Sequence, residues 1–214
     1  MTSKQKEEAR KRILKAATAL FAQKGYAAVG IREIANTAQV NISMISYYFQ
    51  GKVGILRSLI NEFHDLYSQV FSEAFDNDKS AEDNVRAIVR KMVDFIRNNT
   101  ELAMVSFNSI PLDIPEIMDL KIERVTKTLA NVSGLFKRLN LDSQDPALLS
   151  VIGTGLISII LSHFRLKNIQ KIVYDAKFDD TFYENYTKNV ETLFLYGING
   201  FSTQKEEEES IDSN

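Results

Sequence analysis

The sequence predicts an all-α protein of about nine helices: a three-helix, N-terminal helix-turn-helix domain, then a larger helical bundle. Three observations predict it. Helix breakers are scarce, with three prolines and nine glycines in 214 residues, while good helix formers are plentiful. Apolar residues recur at helical spacing along most of the chain. Cap and turn residues fall between these stripes rather than within them.

The first stripe, Ile13, Leu14, Ala17, Leu20 and Phe21, predicts a helix from Ser3 to Lys24. Lys11, Arg12 and Lys15 lie largely off its apolar face, and Gly25 ends it. Ile31, Ile34, Ala35 and Ala38 mark a second helix of about two turns. Gln39-Val40-Asn41 breaks the register, and Asn41 is a good N-cap for a third helix, Ile42 to Phe49. After Gln50-Gly51 a fourth helix runs from Lys52 to about Asp76. No linker separates it from the head.

Ser80-Ala-Glu-Asp opens a fifth helix with a capping-box-like pattern, ending near Asn98. A sixth runs from Thr100 to Ile110. Pro115, at the end of a short loop, starts a seventh that reaches Leu139. Asp145-Pro146 opens an eighth to about Leu166. Its apolar core, Ala147 to Leu161, is shorter than the ~20 residues a bilayer span needs and is expected to be a buried central helix. Asn168 to Phe178 reads as a loop, and Asp179 or Asp180 starts a ninth helix to Ile198. The domains expected are 1–51, DNA binding; 52–201, ligand binding and dimerisation; and 202–214, a disordered acidic tail.

Composition narrows the chemistry. The absence of cysteine excludes disulfides, thiolate metal sites and cysteine nucleophiles. His64 and His163 have no partner at metal spacing, and no phosphate loop or nucleophile motif occurs. Neither metal nor cofactor is expected, and an enzyme ranks far behind other readings. The polar opening of the chain shows no secretory signal, so a cytoplasmic protein without a membrane role is expected. The net charge of −2 conceals a basic head. Residues 1–52 hold nine Lys and Arg against three Glu, hence +6, which leaves −8 for the rest. A basic head on an acidic body suits a polyanion partner at the head.

The second and third helices have helix-turn-helix spacing, in which the later helix enters the DNA major groove. Ile45 and Phe49 form its inner row. Ile42, Ser43, Met44, Ser46 and Tyr47 face outward, able to touch thymine methyls or offer hydroxyls. No Arg or Asn follows the cap on this helix, so Arg32 on the preceding helix is the candidate basic reader.

Gly25-Tyr26, Ile34-Ala35, Ala38, Val40-Asn41 and Ser46-Tyr47-Tyr48-Phe49-Gln50-Gly51-Lys52, followed by Leu56, resemble the TetR/AcrR family of bacterial regulators. The resemblance implies a homodimer on a palindromic double-stranded operator, usually a repressor released by a small-molecule effector. By position it implies phosphate contacts at Tyr47 and Lys52. It sets Arg32, Ser43, Met44 and Ser46 at base edges, and makes Tyr48 and Phe49 braces. Its ligand cavity lies among helices five to eight, here Phe95, Met104, Phe107, Ile110, Met118, Ile122 and Leu156, which suit an apolar or amphipathic effector. Its last two helices pair across the dimer axis, here Gly153, Gly155, Ser158, Leu193, Phe194 and Ile198. This chain departs from the pattern at Val29 and Gly30 (usually hydroxyl residues), Gln39 (usually Gly), Gly51 (usually Ser) and Val53 (usually Glu). A left-handed Gln39 carries strain of about 1 kcal/mol. The alternative is a helical protein–protein interaction module, separable by its lack of salt-dependent, sequence-selective DNA binding.

Overall fold

Caps and turns stop the helices where the stripes end. The computed structural model describes residues 3–108, 111, 113–139, 141 and 144–197. Among these it holds nine helices and no strand. They are α1 (Ser3–Lys24), α2 (Ile31–Ala38), α3 (Ile42–Phe49), α4 (Lys52–Ala74), α5 (Ala81–Asn98), α6 (Thr100–Asn108), α7 (Pro115–Arg138), α8 (Pro146–Val173) and α9 (Asp180–Tyr196). Ile110, Ile198 and the acidic tail lie outside the described residues.

The chain forms two compact units, and α4 and α7 each contribute to both. The first comprises Met1–Ser68 and Asn99–Thr128. Its core is built by Ile13, Phe21, Ile34, Ile45, Ile55, Leu56, Leu59 and Phe63, all buried. α1 packs on α2 and α6, and α2 on α3. Burial of such side chains contributes about 1.5–3 kcal/mol each against conformational entropy.

The second unit comprises Gln69–Asn98 and the described residues from Leu129 onward. Here α5 packs against α8 and α9. Ala74, Ile88 and Leu135 form one apolar centre, joined by Phe71, Phe75 and Leu156. Buried Asn84 ties the α4–α5 turn: its Oδ1 accepts from Asp76 N at 2.7 Å, and its Nδ2 donates to Asp76 O at 2.8 Å. Glu191, also buried, is paired with Arg90 at 2.6 Å and Arg86 at 3.6 Å. His163 sits among the rings of Phe164, Phe178, Phe182, Tyr183 and Tyr186, and its Nδ1 is 2.8 Å from Gln170 Oε1. It is a structural histidine of the aromatic centre.

Two expectations change at α8. The helix continues to Val173, so half of the segment expected to be a loop is helical. It is also not a buried central helix. By length and composition α8 qualifies as a membrane-crossing helix, yet only 24% of its apolar window is buried. Val151, Ser158, Ser162, Leu166, Ile169 and Val173 make an exposed stripe along it, while Ile157, Ile160, Leu161, His163 and Phe164 face inward. A π-helical turn at Leu149–Gly153 precedes the regular part. There Ser150 and Thr154 hydroxyls donate to the carbonyls of Pro146 and Ser150, at 2.7 and 2.8 Å.

Candidate nucleic-acid interface and its supporting core

The turn between α2 and α3 is a Schellman-type closure. Gln39 is left-handed (φ 52°, ψ 50°), and Val40 N donates to Ala35 O at 3.0 Å. The hydrogen bonds of the closure hold a non-glycine residue there against a cost of about 1 kcal/mol. Asn41 then caps α3: its Oδ1 accepts from Ser43 N at 2.9 Å and from Ser43 Oγ at 2.8 Å. Gly30 caps α2 with extended backbone and no side-chain bond, and Val29 is a buried core residue. The hydroxyls expected at these two positions are thus replaced by a bare cap and an apolar anchor.

On α3, Ile45 and Phe49 are buried, as the periodicity predicts. Ile42, Ser43, Ser46 and Tyr47 are exposed, Tyr47 to 69%. Met44 and Tyr48 are half-buried; Tyr48 packs edge-on against the rings of Tyr47 and Phe49. Ser43 is exposed, but its hydroxyl is engaged by the cap. Arg32 is exposed at the start of α2.

Lys52 is placed differently from a free surface cation. Its Nζ donates to Tyr26 O at 2.9 Å and Val29 O at 2.8 Å, and lies 4.2 Å from the Tyr26 ring centre. Burial lowers its pKa from the ordinary lysine value. Two of three ammonium donors therefore staple α4 to the α1–α2 connection. Gly54, one turn into α4, was not singled out from the sequence. A Cβ there would collide with the Phe49 carbonyl, so glycine sets how closely α4 approaches the end of α3.

Two further basic residues join this face. Lys6 Nζ lies 6.0 Å from the Tyr47 ring centre, and Arg10 Cζ 5.6 Å from that of Phe49. Their i, i+4 spacing on α1 was the available signal. Lys24, in contrast, is spent on Glu33 at 2.6 Å. The result is an exposed helix with hydroxyl, apolar and phenol groups, with Lys6 and Arg10 beside its rings and Arg32 exposed at the start of α2. That is the composition of a groove-reading helix with phosphate-seeking neighbours.

The effector residues expected from the sequence fall in both units. Met104 and Phe107 on α6 are half-buried in the first, and Phe107 stacks edge-on with Phe63 at 5.3 Å. Met118 and Ile122 are on the outer face of α7, 37% and 58% exposed. Phe95 and Leu156 belong to the second unit, buried and half-buried. A cleft of about 540 Å³ between α5 and α9 is lined by Arg90, Arg97, Asp180, Tyr183 and Glu191, among others. Its Arg97–Asp180 pair, at 2.7 Å, and Arg90–Glu191 pair make it charged rather than apolar. Of the expected dimer residues, Ser158 is exposed and Gly155, Leu193 and Phe194 are half-buried. A Cβ on Gly155 would sit 3.8 Å from the Phe194 ring, so this glycine lies beside α9 of its own chain. For Gly153 the backbone alone is described, within the π-helical turn.

This geometry defines a helix-turn-helix DNA-binding transcriptional regulator. Residues 13–59 match the sequence profile of bacterial regulatory proteins of the tetR family. The chain is 27% identical over 186 residues to the probable HTH-type transcriptional regulator YttP of Bacillus subtilis, covering 84% of this chain and 88% of that one. It is 23% identical to the HTH-type transcriptional activator FasR of Mycolicibacterium smegmatis, covering 82% and 80%. In fold it is similar to the fatty acid degradation regulator FadR of Bacillus halodurans, with TM-score 0.69, 21% identity and coverage of 89% and 96%. It is also similar to FadR of Bacillus subtilis, solved in complex with stearoyl-CoA, with TM-score 0.65, 21% identity and coverage of 87% and 98%. Residues 13–59 are thus similar to the DNA-binding region of tetR-family regulators, and the whole chain is similar in sequence to an HTH-type regulator.

Proposed function

We propose that this protein is a cytoplasmic, homodimeric repressor that leaves a palindromic operator when an amphipathic small molecule binds its helical body. The exposed face of α3, with Lys6 and Arg10 beside its rings and Arg32 exposed on α2, carries this reading. Ile42, Ser46 and Tyr47 meet the operator, with Arg32 at a base edge or phosphate and Lys6 and Arg10 at phosphates. Met44 and Tyr48, half-buried, set the tilt of α3. Lys52 holds the frame.

The dimer rests on α8. Its exposed stripe is small in the middle (Ser158, Ser162) and apolar toward the C-terminal end (Leu166, Ile169, Val173), which suits close helix packing. The opposite face is covered by its own chain, and Arg165, Lys167 and Lys171 interrupt the C-terminal half, so a second copy fits this stripe better than lipid does. Two heads on one dimer then match half-sites a helical turn or a multiple apart, ~34–36 Å per turn.

The effector's apolar character has support in the stearoyl-CoA bound by one structural neighbour and in the Phe63–Phe107 and Phe63–Tyr67 ring contacts of the first unit. The decisive experiment is a genomic-fragment pull-down with the wild-type chain and Tyr47→Ala. One short palindrome enriched by the wild type and lost in the variant supports the proposal. Recovery no better than random DNA, with a folded and ligand-stripped protein, counts against it.

A further inference from the structure

α7 is turned against its own hydropathy. Met118, Ile122 and Val125 stand exposed at i, i+4 and i+7. Ile117, Lys121 and Arg124 face inward instead. An amphipathic helix ordinarily buries the apolar set.

The interior explains the inversion. Lys121 Nζ donates to Ser106 O on α6 at 3.0 Å, lies 3.5 Å from His64 Nε2 on α4, and sits 4.8 Å from the Phe107 ring centre. Among the described residues no carboxylate is within ion-pair distance of it. Arg124 has its own partners, Asp65 at 3.1 Å and Asn61 at 2.6 Å. Three buried polar atoms nearby in the fold have no hydrogen-bond partner among the described residues: His64 Nδ1, Ser106 Oγ and Arg124 Nε. Ser106 and His64 are almost completely enclosed, at 0% and 4% exposure. With Nε2 facing the ammonium, the neutral imidazole carries its proton on Nδ1, so all three are donors. A buried ammonium with no counter-anion, accompanied by three unused donors, is short of one negative charge. Burial accordingly lowers the Lys121 pKa to about 8.

We propose that Lys121, Ser106 and His64 form the head-group subsite of the effector, and that this head group is a compact anion, a carboxylate or phosphate monoester, on an apolar body. This rests on the reading of the chain as an effector-responsive regulator. The ammonium supplies the charge, Ser106 Oγ and His64 Nδ1 donate to the anion oxygens, and the rings of Phe107, Phe63 and Tyr67 offer the adjoining apolar wall. Arg124 on α7 and Asp65 on α4, also on these helices, are paired with each other.

The test titrates dodecanoate, dodecyl phosphate and dodecanol into the full chain by calorimetry at pH 8, using wild type, Lys121→Met and Lys121→Arg. Wild type is expected to bind the better of the two anions at least tenfold more tightly than dodecanol, and which anion leads identifies the head group. Binding of dodecanoate, measured in two buffers of different ionisation enthalpy, takes up about half a proton, because a group titrating near pH 8 is half protonated until the anion completes it. Lys121→Met should remove the preference and the uptake. Lys121→Arg should keep the preference without the uptake, which separates loss of charge from loss of fold. Equal binding of dodecanol and both anions to wild type, or a preference that survives Lys121→Met, overturns the anionic head group and leaves the apolar-effector reading standing. Failure of all three ligands to bind a chain that still holds its operator overturns both.

Discussion

Replacing Lys52 by methionine keeps most of the stem and removes the ammonium, which makes it a clean probe of what holds the DNA-reading head. The ammonium gives up two hydrogen bonds, to the carbonyls of Tyr26 and Val29 at 2.9 and 2.8 Å, and a ring contact with Tyr26 at 4.2 Å. Charged hydrogen bonds contribute ~1.5–3 kcal/mol each when well buried. This one is half-buried, so screening brings each bond to about 1 kcal/mol. The ring adds about 0.5 kcal/mol. A loss of about 2–3 kcal/mol follows, and at ~2–4 °C per kcal/mol for a chain of this size the melting temperature falls roughly 4–12 °C. The assay pairs a circular-dichroism melt with operator affinity across a salt series. Because two of the three donors are already engaged inside the head, the log–log salt slope should stay within about half a phosphate of wild type, one phosphate being worth ~0.9. A melt unchanged within a degree, with the slope reduced by a full ~0.9, would show that the ammonium serves DNA and that the staple stabilises nothing.

The remaining predictions concern packing, assembly and pH. Gly54→Ala forces α4 away from the Phe49 carbonyl; overpacking of this kind costs about 1–3 kcal/mol, so stability and operator affinity should both fall, read by melting and gel retardation, whereas glycine to alanine at an ordinary helix site stabilises. Ile169→Glu combined with Val173→Glu places charges on the exposed stripe of α8; sedimentation at micromolar concentration should show a monomer, and an intact dimer would remove α8 from the interface. His64 is held down to a pKa of about 4 by burial, then by Lys121 and Arg124. Its unfolded value is higher, so its contribution is complete above about pH 6.5 and is lost as pH falls towards 4, by about 2 kcal/mol at pH 5. Urea titrations at pH 7, 6 and 5 should show that loss, and His64→Phe should reduce it.

Local signals carried the first half of the chain. Asn41, Gly25 and Gly51 are residues whose own backbone chemistry marks a helix end, and α1 to α5 start and stop within a residue or two of where those marks stand. The outer face of α3 was legible for the same reason: its period is uninterrupted between Ile45 and Phe49. The region after Leu166 was not, because its apolar residues, Ile169, Ile172 and Val173, serve a face left exposed among the described residues and alternate with Lys167, Asn168, Gln170 and Lys171. The π-helical turn at Leu149–Gly153 adds a residue to one turn, so stripes before and after it do not share a 3.6-residue period. Lys52 and Gly54 escaped a local reading because their contacts are tertiary: Lys52 meets Tyr26, 26 residues away. Met118 and Ile122, named for the effector cavity, stand exposed on α7. Hydropathy expects them inside, and what turns α7 over is a polar interior built by His64 and Ser106 from α4 and α6.

That interior lies close, in connectivity, to the DNA-reading face, and the link is testable by reciprocity. α6 carries Ser106, whose carbonyl holds the Lys121 ammonium, and α6 also packs on α1. α1 in turn brings Lys6 and Arg10 beside Tyr47 and Phe49 of α3. All of these residues belong to one compact unit. An anion that draws Lys121 towards itself competes with the Ser106 carbonyl and so acts on α6, the element against which α1 is seated. An effector moves this equilibrium only by its differential affinity for the DNA-competent and released states, and linkage requires the effect to run both ways. If dodecanoate weakens operator binding twentyfold, saturating operator must weaken dodecanoate binding twentyfold, a coupling of about 1.8 kcal/mol. Calorimetric titration of dodecanoate into the chain with and without its operator duplex measures the second factor directly. Weakening of DNA binding with no matching change in dodecanoate affinity would mean that the lipid acts on the DNA-binding assay by another route, such as detergency, and the path through Ser106, α6 and α1 would be abandoned.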